Sequence, residues 1–159
     1  MKQRVSRRTW SSPGLPGRRP RLLIEDGRSA LAISDFSLFR NAGFDVAFCS
    51  GPGRDLADCP LVRGQRCPLV DGADVVLHGL DVGAGVAAAI RHQRPELPVV
   101  IEHRRQQADA ADPVPSGCVP LGYPCSVRGQ IDALQRAEAA ARRVSAETRR
   151  PPAVSGSRG

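Results

Sequence analysis

Apolar positions between residues 21 and 143 fall into short continuous runs that alternate with segments of helical spacing. Arg21-Leu22-Leu23-Ile24-Glu25 predicts a buried strand, closed by the acidic pair Glu25-Asp26 and a turn at Gly27. A helix is expected from about Ser29 to Asn41, with Ile33, Phe36 and Phe39 near one face, Leu31 and Leu38 flanking it, and Gly43 as its stop. Asp45-Val46-Ala47-Phe48-Cys49 predicts a second strand. Residues 54–72 lack helical periodicity and are rich in Pro, Gly and Cys, so at most one helical turn is expected there, near Asp55 to Asp58. Asp74-Val75-Val76-Leu77 predicts the third strand, and Val86-Ala87-Ala88-Ala89-Ile90-Arg91 a helix that stops before Pro95. Pro98-Val99-Val100-Ile101-Glu102 predicts a fourth strand, followed by a polar stretch with a weak helix around Gln106 to Ala111. Cys118-Val119-Pro120-Leu121 is a poorer fifth strand, because Pro120 cannot donate to a ladder and belongs at a sheet edge. A last helix is expected from Ser126, as N-cap, to about Arg143, with Ile131, Leu134, Ala137 and Ala141 on one stripe. Continuous apolar strands interleaved with helices imply an α/β, flavodoxin-like three-layer sandwich with a five-stranded, mainly parallel sheet.

Charge changes the picture only when it is located. The 159 residues carry a formal charge of +7. Residues 1–20 hold six basic and no acidic side chains, residues 21–140 twelve Arg against fifteen Asp and Glu, and residues 141–159 five Arg against one Glu. Basicity thus belongs to the ends, and the expected division is a disordered basic arm (1–20), a folded domain (21–143) and a disordered basic tail (144–159). Contact with nucleic acid is expected, if at all, only through those ends. With 4% aromatic residues, the chain has no platform for stacking single-stranded bases. No apolar run approaches the roughly 20 residues of a membrane span, and the apolar core of an export signal is missing after Arg7-Arg8. A cytoplasmic protein with reduced cysteines is therefore expected.

Five βα units opening on a strand that ends in two acids resemble the receiver domain of bacterial response regulators. The resemblance implies Mg²⁺ at Glu25 and Asp26, but the other receiver positions depart from the pattern. His78 or Gly79 stands where the phosphoacceptor Asp belongs, with Asp81 two residues beyond; His103 replaces the hydroxyl residue after strand four; Tyr123-Pro124 replaces Lys-Pro. Without a carboxylate nucleophile no acyl phosphate forms, and without the ammonium and hydroxyl nothing neutralises a phosphoryl group. The expectation is a non-enzymatic regulatory module that binds a regulatory protein partner without phosphorylation and needs no cofactor. Glu25 and Asp26 then read as solvated acids at a strand end.

A second reading rests on cysteine. Cys59-Pro60-Leu61-Val62 is repeated as Cys67-Pro68-Leu69-Val70, and Cys49 lies ten residues before the first copy. Together with Cys125 these thiols would suit Zn²⁺ or a redox pair, although no Cys-x-x-Cys spacing is present. The plainer reading makes them small buried hydrophobes that anchor a loop.

Overall fold

In the computed structural model, the described residues are 7–10, 17–27, 36–52, 58–80, 85–104 and 114–148. Five parallel strands form the sheet: β2 (Arg21–Glu25), β3 (Asp45–Cys49), β4 (Val75–His78), β5 (Val99–Arg104) and β6 (Val119–Tyr123). Their spatial order is β3-β2-β4-β5-β6. The sheet therefore reverses direction of growth beside β2, the arrangement of doubly wound folds that bind ligands at the carboxyl ends of their strands. A two-residue strand, β1 (Arg7–Arg8), extends the β3 edge antiparallel, with Arg7 opposite Cys49 and Arg8 opposite Phe48.

The strands β2 to β5 are buried on both faces, which explains their continuous apolar runs, whereas β6 is mostly exposed. On one face Leu23, Ala47, Val76, Val99 and Ile101 pack with α2 (Pro68–Gly72), α3 (Val86–Gln93) and the cysteine loop before α2. On the other, Leu22, Ile24, Val46, Phe48, Leu77 and Val100 pack with Phe36 and Phe39 of α1, described over residues 36–41, and with α4 (Val127–Thr148). Gly43 ends α1 at φ +99, the left-handed C-terminal glycine its spacing predicted.

Several expectations need correction. The arm at 1–20 is not wholly unstructured: β1 pairs with β3, Trp10 packs against the first core cluster, and the Arg21 guanidinium lies 5.2 Å from the Trp10 ring centroid. Arg18 donates two hydrogen bonds to Asp74, one of them at 3.2 Å, and Asp74 also accepts the Arg21 N–H at 2.8 Å. A single aromatic ring beside an apolar edge was enough to tether residues whose composition promised nothing to bury. α4 does not end near Arg143 as expected but runs on to Thr148. A helical turn in the cysteine segment lies at Pro68–Gly72, beyond the stretch near Asp55 to Asp58 where one was expected. Pro68 fits the first helical turn, and Leu69 and Val70 are buried there; Asp55 to Ala57, like residues 28–35, the expected helix at Gln106 to Ala111 and the segment 149–159, lie outside the described residues. No described helix is long and apolar enough to cross a membrane.

Candidate functional site

The carboxyl edge of the sheet is where the sequence placed its chemistry, and the strand register aligns it in a row. Cys49 of β3 lies opposite Glu25 of β2, and Glu25 opposite His78 of β4. Paired positions on parallel strands share a face, so Glu25 and His78 meet side by side. The His78 Nδ1 donates to Glu25 Oε2 at 2.7 Å. His78 is 0% exposed and Glu25 3%. Glu25 is thus not the solvated acid expected from its place at a strand end: the imidazole draws its carboxylate into the sheet face, where the charge-assisted bond offsets desolvation. The second imidazole nitrogen, Nε2, is buried with no hydrogen-bond partner among the described residues.

The turn after His78 closes the edge further. The Gly79 N–H donates to the Glu25 carbonyl at 2.7 Å, and the Asp26 N–H to the Cys49 carbonyl at 3.2 Å, so the three strand ends are laced together. A Cβ on Gly79 would stand 3.3 Å from Glu102 Oε2 and 3.6 Å from Asp26 Oδ2, which places both carboxylates around this glycine. Leu80 lies over Gly51, whose φ of +79 and lack of Cβ allow the approach: a Cβ there would meet the Leu80 methyl carbons at 2.9 Å. An apolar side chain therefore covers part of the crevice at which such folds bind ligands.

The remaining candidates are dispersed. Glu102 accepts a hydrogen bond from Gln130 in the first turns of α4, tying the end of β5 to that helix. His103 and Tyr123 fall inside β5 and β6, opposite Gly122 and Arg104 respectively, rather than in loops beyond them. Asp81 lies outside the described residues. Among the cysteines, Cys49, Cys59 and Cys67 line one cavity of about 20 Å³ together with Glu25 and Leu61. Cys125 stands apart beside Gly129 in α4, and Cys118 lies near Arg91 of α3, where burial pushes its thiol pKa up while the guanidinium opposes the shift. All five are free thiols.

The metal that the receiver resemblance implies does not fit these residues. The Glu25 carboxylate is engaged by His78, and among the described residues no group of three His, Cys, Asp or Glu side chains is placed to hold a metal ion. The partnership of Glu25 with His78 was missed by sequence reasoning. Its signal was present in the parallel register of two strands that both end in polar residues.

A doubly wound α/β domain with a polar row at its carboxyl edge is therefore the class that fold and site define. No family model matches the sequence, and no curated protein matches it. Solved structures narrow the class, because the fold is that of response regulator receiver domains. A receiver domain protein from Clostridium thermocellum is similar at a TM-score of 0.61 and 18% identity, over 79% of this chain and 98% of that one. A receiver protein from Sinorhizobium medicae WSM419 is similar at 0.53 and 22% identity, over 77% and 97%. An adenylate cyclase from Rhodopirellula baltica has a TM-score of 0.60 at 16% identity, over 82% of this chain and 95% of that one.

Proposed function

We propose that the chain is a non-enzymatic regulatory module that uses a receiver fold to bind a protein partner and does so without phosphorylation. The observation that carries this reading is the buried His78–Glu25 pair. It occupies the place where receiver chemistry needs an exposed acceptor carboxylate and an acid free to hold a cation. A neutral or cationic imidazole offers no acyl phosphate, and a carboxylate engaged by it is withdrawn from any ion. Leu80 over Gly51 adds an apolar cover where a phosphoryl group would need water and donors.

Contact is assigned to the surface formed by the fourth and fifth units, β5, β6 and α4. Among the described residues β6 is the sheet's outer strand, paired with β5 alone, and Val119 on it is 41% exposed. Edge strands and half-exposed apolar side chains are surfaces that a partner can complete. In this reading nucleic acid is met only by the basic ends, and the protein works in the cytoplasm. The test is affinity capture from the native host with the full chain. A partner retained by the unaltered protein and by V62D, on the opposite face, but lost with V119D supports the assignment; equal retention by V119D and the unaltered protein refutes it.

A further inference from the structure

The repeated Cys-Pro-Leu-Val motif has a structural meaning that the regulatory reading does not use. The Gln65 N–H donates to the Pro60 carbonyl at 2.8 Å and the Gly64 N–H to the Leu61 carbonyl at 2.9 Å, with Gly64 at φ +71. The chain thus reverses between the two copies, and the copies become two limbs of one compact loop. Each limb inserts its leucine: Leu61 is 3% and Leu69 6% exposed, both in the same core cluster. Cys59 and Cys67 come with them and border one small cavity, with Cys49 at the end of β3 as a third thiol. The space they share, about 20 Å³, has room for little more than a single water.

The three are not equivalent. Cys49 is fixed by a strand that is paired on both sides, to β1 and β2. Cys59 and Cys67 lie outside the strands, Cys59 in the loop and Cys67 at the N-cap of α2, and a disulfide between them requires a Cα separation below about 7 Å. Cys59 is 8% exposed, whereas Cys67, at the start of α2, is half-buried and reached from solvent.

We propose that Cys59 and Cys67 are an oxidative modification site, at which hydrogen peroxide drives formation of an intramolecular disulfide. Cys67 sulfur attacks peroxide; its S–O bond forms, the O–O bond breaks, and one water leaves with the thiol proton, giving a sulfenic acid. The Cys59 sulfur then attacks the sulfenyl sulfur; the S–S bond forms, the S–O bond breaks, and hydroxide leaves as water with the Cys59 proton. Two thiols are oxidised by two electrons and one peroxide is reduced to two waters. The bond would lock the loop that leads into α2.

The test uses the full chain, treated with peroxide, capped with iodoacetamide and digested with trypsin. Cleavage after Arg63 and Arg66 leaves the two cysteines on separate peptides, residues 55–63 and 67–91. The expected result is a cross-linked pair of these peptides, lighter by two hydrogens than their sum and lost on reduction. Its yield is unchanged in C49S, falls to background in C59S and C67S, and does not depend on protein concentration. Absence of that linkage in the unaltered chain, linkage of either peptide to Cys49 instead, or a yield that falls on dilution overturns the proposal, whatever becomes of partner binding.

Discussion

His78 and Glu25 carry opposite demands: each is costly to bury alone, and each makes the other's burial tolerable. Replacing Glu25 by Ala leaves the His78 Nδ1–H without its acceptor at a site with no exposure. The expected loss of stability is about 2–4 kcal/mol, between the cost of an orphaned neutral donor and that of a broken buried ion pair. Chemical denaturation of E25A and D26A checks this, the second substitution, at a half-buried neighbour, costing less than half as much. The same pair marks where the sequence was opaque. The acidic pair after the first strand and a histidine ending the third were both legible, but single-residue reasoning assigned Glu25 to solvent. Only the register that sets Glu25 beside His78 shows that one supplies the other's hydrogen-bond partner. Register is a property of two strands, and no local pattern in either one encodes it.

At the level of elements the strands β2 to β5 could be read almost directly, because a strand buried on both faces writes itself as a continuous apolar run. Where packing partners were distant in sequence, boundaries slipped. α4 shows both effects: Ser126 accepts the Gly129 N–H through Oγ at 3.1 Å as the expected N-cap, yet the helix continues to Thr148 with few groups to bury. Its hold on the sheet is concentrated in Ala133 and Leu134, the latter 0% exposed. L134A is expected to destabilise by about 2–5 kcal/mol, as a cavity-forming truncation, whereas V144A, 63% exposed, is expected to leave the melting midpoint nearly unchanged. Parallel thermal melts of the two variants check the contrast. The turn at Pro68–Gly72 escaped the sequence because a helix of one turn has no period to detect; Pro68 and the buried pair Leu69-Val70 decide it through tertiary contact.

For the whole molecule, the division into a folded centre and basic ends holds in charge but not in contact. Trp10 against the core and Arg18 on Asp74 lie within the first twenty residues, so removing them strips packing beside α2 and two hydrogen bonds at the start of β4. A chain beginning at Arg21 is expected to lose about 2–3 kcal/mol, the scale of burying one large side chain, and W10A in the full chain should show most of that loss in a urea titration. Composition could not reveal this, since one tryptophan among arginines and prolines has the signature of a segment with nothing to bury. The larger claim is that a receiver fold here works with its phosphorylation chemistry closed by the His78–Glu25 pair. The most direct measurement is intact mass after incubating the full chain with acetyl phosphate and Mg²⁺. The account predicts an unchanged mass; the stable addition of one phosphoryl group, mapping to Asp81 or Asp26, would contradict it.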